Sequence, residues 1–377
     1  METPFVFGKI ASDKNFTDRK TETERLVSNF GSSVNTILIS PRRWGKSSLV
    51  AKAAEISLKR NKTARFCFID LNNVRTEEEF YQQLATKVLN ASTTKTRILL
   101  ANARKFLGKF IPNITFSPDP GTELKLGLDW KEVKKEPDDI LNLAEKISIE
   151  NNIRFVICID EFQNISEFES PLDIQKKMRS HWQKHKNVSY CLYGSKRHML
   201  MDVFTSPSMP FYKFGDIIFL SKISSDEWIP FIQKRFADYG KKIGNSEAGL
   251  IAELAECHSY YVQQLAQQSW LRTEIVCNKP IIEEAFRDVV LQLSMLFQNL
   301  TDGLNRTQLG LLKALTDKID QLSSQRTILD YQLGTSANVI KIKKTLLNKE
   351  IIDFQGSDIS FLDPLYKFWL KEYYFKA

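Results

Sequence analysis

Several common signatures are missing from this 377-residue chain. Its five cysteines (Cys67, Cys158, Cys191, Cys257 and Cys277) are odd in number and widely spaced, and they include no Cys-x-x-Cys pair. Neither a disulfide framework nor a zinc site is expected from them, and a reducing compartment is the default. Cys67, Cys158 and Cys191 lie inside apolar runs, where cysteine acts as a small buried hydrophobe. The four histidines, His181, His185, His198 and His258, have no partners at metal-ligand spacing. No apolar stretch approaches the ~18–20 residues of a membrane span, and the opening METPFVFGKIASDKNF lacks the basic-then-apolar layout of a secretory signal. Repeats and compositionally extreme segments are lacking too. The expectation is a cytoplasmic protein with no membrane partner.

What is present is globular in composition. With 42% hydrophobic and 26% charged residues the chain can bury a sizeable core, which excludes disordered, collagen-like and low-complexity classes. Its length implies two or three domains at roughly 100–200 residues each. The 53 basic and 45 acidic side chains leave a formal charge of +8, which suits a nucleotide, a nucleic acid or plain solubility equally well.

The first 220 residues alternate short apolar strands with amphipathic helices. Strands are expected at Thr36–Ile39, Ala64–Asp70, Arg154–Asp160, 189–193 and 216–220. Each is a nearly continuous apolar run, the pattern of strands covered on both faces of a parallel sheet. Helix-length patterns between them, such as 47–61 and 76–89, complete a βαβα rhythm. An inserted hairpin is expected at about 110–130, around the turn-forming PDPG of 118–121. Residues 224–290 carry helical periodicity alone. From about residue 305, helices at 307–315, 328–331 and 336–348 precede a strand–turn–strand at IIDFQGSDISFL, the winged-helix order.

The chemistry concentrates in two places. ISPRRWGKSSL follows an apolar strand and opens a helix, the context of a phosphate-binding loop. Backbone N–H groups and the helix N-terminus would wrap a phosphate. Lys46 would reach the β- and γ-phosphates, Ser47 would ligate Mg2+, and Gly45 lets the backbone approach closely. Pro41, Arg42, Arg43, Trp44, Gly45, Lys46, Ser47 and Ser48 form the candidate nucleotide-binding set. The loop departs from GxxxxGK[ST], because Ser40 stands where the first glycine belongs. The second place is RFVICIDEFQN, an apolar strand ending in two acids. Asp160 fits a Mg2+ ligand acting through water, and Glu161 fits the group that polarises the attacking water. The bland alternatives are a basic βα turn for the loop and a helix N-cap for the acids. The two motifs together favour an ATPase.

Across nearly the whole chain, the order of motifs resembles the archaeal-type ATPases, a branch of the AAA+-related signal-transduction ATPases (the STAND group). Phe16, Asp18, Arg19 and Glu22 resemble the family's opening motif. SPRRWGKSSL resembles its phosphate loop, and IDEFQ its second motif. YGSK at 193–196 resembles the sensor strand end, which implies that Ser195 faces the γ-phosphate. HSYYVQQLA resembles a lid-domain motif, and FLDPLYKFWL the end of the winged-helix unit. The resemblance implies an α/β P-loop NTPase, AAA+-like: a three-layer parallel-sheet domain at 1–221, a helical lid at 222–295 and a winged helix at 296–377. It also implies that the Asp160 strand lies beside the loop strand, and that ATP and Mg2+ bind between sheet and lid. Catalysis would rest on Lys46, Asp160, Glu161 and Ser195, with Ser47 and Asp160 on the metal. Ser259 departs from the family's proline. Lys213 stands where an arginine is frequent, and lysine lacks the planar fork of an arginine finger.

Other residues keep two readings. Arg42 and Arg43 either contact phosphate or a neighbouring subunit, or are solvated. Trp44 either shields the nucleotide or packs on the lid. His258 reads as a cap or core contact rather than a catalyst, and the six aromatic residues of 366–375 read as core anchors. Two functions remain open. One is a nucleotide-dependent conformational switch that hydrolyses ATP slowly or on stimulation and works on a protein partner or through self-association. The other is a DNA-binding winged-helix regulator whose nucleotide is structural. The candidate recognition helix carries Lys341, Lys343 and Lys344, but the balance after residue 305 is only mildly basic. Nucleic-acid binding is therefore expected to be weak. A GTPase is disfavoured because no [NT]KxD follows the sheet, and the long lid-plus-wing tail disfavours a small-molecule kinase.

Overall fold

The computed structural model describes residues 3–93, 95–110, 113–116, 124–355 and 358–376. The chain forms two compact units. Residues 18–221 make one, and the amino-terminal segment up to Thr17 joins Lys222 onward in the other.

In unit 18–221 the strands are β1 (Thr36–Ile39), β2 (Ala64–Asp70), β3 (Asn113–Phe116), β4 (Leu124–Gly127), β5 (Arg154–Asp160), β6 (Val188–Gly194) and β7 (Asp216–Phe219). Five of them form one sheet in the order β2-β5-β6-β1-β7, parallel throughout. β3 and β4 pair as an antiparallel hairpin, and the expected turn at 118–121 lies outside the described residues. The sheet is covered on both faces, which explains its continuous apolar runs. Alternation places Ile37, Ile39, Cys67, Ile69, Ile157, Ile159 and Leu192 in one core with Phe80, Leu84, Val88 and Ile147. The intervening residues Leu38, Val156, Cys158 and Cys191 are also buried, and on that face Phe66 meets Phe30 of the helix Lys20–Gly31 edge to face. The helix Glu77–Ser92 begins at a capping box in which Thr76 and Glu79 each bond the other's backbone N–H.

One implied neighbour is corrected. The Asp160 strand, β5, does not lie beside the loop strand: β6 separates β5 from β1, and β1 runs between β6 and β7. An apolar run records that a strand is buried and carries no record of its partner, so the pattern could not fix this order.

The second unit is helical except for two short pairings. Helices Ser225–Ala237, Asn245–Leu254 and Ser259–Arg272 lead into Lys279–Asp302, which runs unbroken through the boundary expected at 295/296. β8 (Lys242–Ile243) and β9 (Val276–Cys277) pair in parallel, and their two residues each are too few to show alternation in sequence. The winged helix follows as Arg306–Thr316, Gln325–Asp330, Ser336–Asn348 and the antiparallel strands β10 (Ile352–Gln355) and β11 (Asp358–Phe361). One core joins Trp228, Ile232, Tyr261 and Val290 to Leu311, Leu346, Tyr366 and Trp369. The amino-terminal segment belongs here, not to the sheet unit in which it was expected. Phe5 is 2% exposed against Phe231 and Phe236, and buried Arg235 donates to the Pro4 carbonyl at 2.6 Å and to Asn15 Oδ1 at 2.9 Å. Tyr261 donates to Asp363 Oδ2 at 2.5 Å, joining the HSYY and FLDP motifs. Among the described residues, no helix is long and apolar enough to cross a membrane.

Candidate nucleotide site

β1 delivers the chain into the loop 40–45, and the helix Lys46–Arg60 leaves it. Two loop residues are left-handed, Arg43 at φ 63° and Gly45 at φ 91°. Turning the backbone this way points successive N–H groups into one concavity, the geometry that binds anions. Space around Gly45 would admit a Cβ, so it is the φ angle that calls for glycine there. Ser40 is fully buried, does not adopt positive φ, and donates from Oγ to the Pro41 carbonyl at 3.0 Å. The missing first glycine therefore imposes no backbone strain. Arg19, 4% exposed, braces the loop by donating to Glu22 at 3.1 Å and to the Trp44 carbonyl at 3.4 Å.

The two sequence motifs meet at this loop. Lys46 Nζ lies 3.2 Å from Glu161 Oε1, and Ser47 Oγ donates to Asp160 Oδ2 at 2.8 Å. Glu161 itself is left-handed at φ 51°, a conformation that a non-glycine residue holds only when its surroundings impose it. Those surroundings are explicit. Glu161 Oε2 accepts from Ser195 Oγ at 2.8 Å, from Ser195 N at 3.2 Å and from Gln163 Nε2 at 2.5 Å. Arg42 Nε donates in turn to Ser195 Oγ at 3.2 Å. The adjacent acids titrate in opposite directions. Burial pushes Asp160 above the ordinary aspartate range, against the pull of Lys46 and Ser47. Burial also works against the charge on Glu161, but Lys46, Gln163 and Ser195 together hold it below the ordinary glutamate range.

Every candidate catalytic residue (Lys46, Asp160, Glu161 and Ser195) is thus in this one network, with Ser47 and Arg42. Pro41 and Trp44 are buried parts of the loop, Ser48 is buried in the first turn of the helix, and Arg43 is exposed. Lys213 is exposed, with its ammonium 5.2 Å from the Tyr212 ring. His258 is 3% exposed and packs its ring 4.9 Å from Tyr261, so it is a core contact and donates no side-chain cap to the helix it precedes. His181 and His185 both bond Asn142, and burial draws His185 down to about 4. In the wing, Lys341 and Lys344 are exposed, whereas Asn338 donates to the Leu333 carbonyl at 2.7 Å and is committed within the fold. Of the C-terminal aromatic residues, Tyr366 and Trp369 are buried, while Tyr373 is exposed. Gln163 had no role assigned from sequence; its only signal there was its place two residues after Glu161 in IDEFQ.

Nothing in the donor set conflicts with magnesium. Ser47 and Asp160 offer a hydroxyl and a carboxylate, hard oxygen ligands already brought within 2.8 Å of each other.

Comparison with known proteins agrees with this architecture. Residues 295–372 match the family model for a probable winged helix domain. None of the curated proteins compared with the chain matches it. Among solved structures, the chain is similar to the Walker-type ATPase PABY2304 of Pyrococcus abyssi, at 16% identity with a TM-score of 0.66, covering 96% of this chain and 97% of that one. It is similar to the Aeropyrum pernix ORC2 protein in its ADPNP–ADP complexes, at 14% identity and a TM-score of 0.58, covering 94% and 93%. It is also similar to the Aeropyrum pernix ORC1 protein in complex with DNA, at 13% identity and a TM-score of 0.51, covering 100% and 99%. The chain therefore shares the fold of these structures, a parallel-sheet P-loop unit, completed by a C-terminal winged helix.

Proposed function

We propose that this protein is a Mg2+-dependent ATPase of the STAND type, a cytoplasmic switch whose hydrolysis resets a conformational state. The observation that carries the reading is the pairing of Lys46 with Glu161 and of Ser47 with Asp160, which brings both motifs to one point. ATP-binding loops need a cation for the terminal phosphates, and Lys46 is already at the site, paired with Glu161, which it would leave. Magnesium bound there would neutralise charge on the β- and γ-phosphates. Ser47 would ligate it, and Asp160 would hold it through water.

Glu161 supplies the base. Its lowered pKa keeps it ionised at neutral pH, and Ser195 and Gln163 fix its orientation after Lys46 moves to phosphate. In the reaction a water oxygen bonds to the γ-phosphorus and its proton passes to Glu161. The bond to the β,γ-bridging oxygen breaks, leaving its electron pair on ADP. The wing is assigned to protein contact, since Asn338, its early side chain best suited to pair with a base, is spent on Leu333.

Nucleotide binding and turnover of two variants test the reading. Lys46→Ala should weaken ATP binding by at least about tenfold, through loss of a direct phosphate contact. Glu161→Gln should bind ATP and retain it unhydrolysed. ATP affinity unchanged in Lys46→Ala, or normal turnover in Glu161→Gln, contradicts the assignment.

A further inference from the structure

Phosphoryl transfer spreads negative charge over the γ-oxygens, and a second cation besides the loop lysine would stabilise it. Lys213, which stands where an arginine is frequent but lacks the planar fork of a finger, is exposed and lies over the Tyr212 ring. A different cation is already at the site. Arg42 sits two residues into the phosphate loop, immediately before left-handed Arg43, and its Nε donates to Ser195 Oγ at 3.2 Å. That hydroxyl donates to Glu161 Oε2 at 2.8 Å, and the other oxygen of the same carboxylate faces Lys46 Nζ at 3.2 Å. One loop therefore sends two cations to opposite ends of the Glu161–Ser195 pair. A γ-phosphate attacked by a water held on Glu161 would be within reach of both cations, because Lys46 pairs with that carboxylate and Arg42 bonds the Ser195 hydroxyl that donates to it.

We propose that Arg42 is an arginine finger supplied in cis, so that a single chain carries the complete hydrolytic machinery. The inference rests on the ATPase reading above. Its physical content is charge placement. As the water oxygen bonds to phosphorus, negative charge spreads over the equatorial γ-oxygens and onto the bridging oxygen that departs with ADP. A guanidinium meets two such oxygens at once through its planar fork, which an ammonium cannot do. The Arg42 side chain is exposed, so its transfer from Ser195 to a phosphate oxygen requires no repacking of the core. In the absence of phosphate, Ser195 keeps the guanidinium beside the base.

The test measures ATP affinity and turnover separately for the full chain and its Arg42→Lys and Arg42→Gln variants. Arg42→Lys should lower kcat by about 1,000-fold or more, the scale of arginine-finger losses, while ATP binds within about threefold of wild type. Binding of ADP with aluminium fluoride should fall in parallel with kcat while ADP binding holds, a split that a merely structural role for Arg42 would not produce. Wild-type turnover per chain should stay constant over about three orders of magnitude in protein concentration, because no second copy completes the site. Unchanged kcat in Arg42→Lys, or turnover per chain that rises with concentration, overturns the cis finger while leaving the ATPase reading intact. A wild-type chain that binds ATP without any turnover overturns both.

Discussion

Asp160 and Glu161 are neighbours in sequence, yet their carboxylates meet opposing fields. Asp160 is pushed up by burial and Glu161 is drawn down by Lys46 and its hydrogen bonds. In the nucleotide-free protein at neutral pH, Asp160→Asn should therefore raise the melting temperature and Glu161→Gln should lower it. The directions of the two shifts set the two signs, and the melting temperature reads them. Asparagine can still accept from Glu161 N and donate to Ser47 Oγ, so the first substitution removes charge and keeps the bonds. The signs follow from proton linkage. Asp160 binds its proton more tightly folded than unfolded, so its ionised form costs stability above the folded pKa. The gain from Asp160→Asn fades as pH falls from above that value to below the ordinary aspartate range. Glu161 contributes stability above the ordinary glutamate value and loses it as pH falls through its lower folded value. Melting curves at pH 7 and at pH values down to about 3 check both; at pH 7, shifts of the same sign would contradict the opposing fields. At this scale much of the site was legible. Lys46, Ser47, Asp160 and Glu161 lie within short motifs whose chemistry is written in residue type. The Arg42–Ser195 bond was not legible, because it depends on which strands lie side by side.

That dependence is a property of the elements. The βα rhythm, the hairpin and the winged-helix order were all readable, because periodicity and turn residues are local signals. Strand order is non-local, and here it changes the site: β6, inserted between β5 and β1, brings Ser195 and Gly194 up against Glu161. A Cβ on Gly194 would lie 2.0 Å from Gln163 Oε1 and 3.3 Å from Glu161 Cα. Glycine at the end of β6 is what admits Gln163, and Gln163 helps fix the base. Gly194→Ala should displace Gln163 and lower kcat by roughly tenfold, one hydrogen bond to a charged group being worth about 1.5–3 kcal/mol. ATP affinity should stay within about threefold, because the lysine and the loop amides are untouched. Separate measurement of kcat and nucleotide affinity decides the point. Unimpaired turnover would mean that Gln163 has no part in positioning Glu161.

For the whole molecule, chain continuity misled where packing decided. Residues 1–17 precede the sheet unit in sequence, and METPFV has too few apolar positions to show any period, so they were assigned to the domain that follows. In the structure Phe5 packs against Phe231 and Phe236, and Arg235 satisfies the Pro4 carbonyl and Asn15 while pairing with Asp238. Val6 N donates to Gln263 Oε1 at 3.0 Å, carrying the attachment onto the helix Ser259–Arg272. The segment thus acts as a strap that completes the core of the C-terminal unit. Replacing Phe5 with Ala removes a buried ring and leaves a cavity, at a cost of about 3 kcal/mol. The loss belongs to one unit only. Amide hydrogen exchange in the Phe5→Ala variant should quicken across the helix Ser225–Ala237, whose Phe231 and Phe236 lose their neighbour, while β5 and β6 in the other unit exchange at wild-type rates. Equal acceleration in β5 would mean that the two units open together. Unchanged exchange in the helix Ser225–Ala237 would mean that the strap contributes nothing to the core it fills.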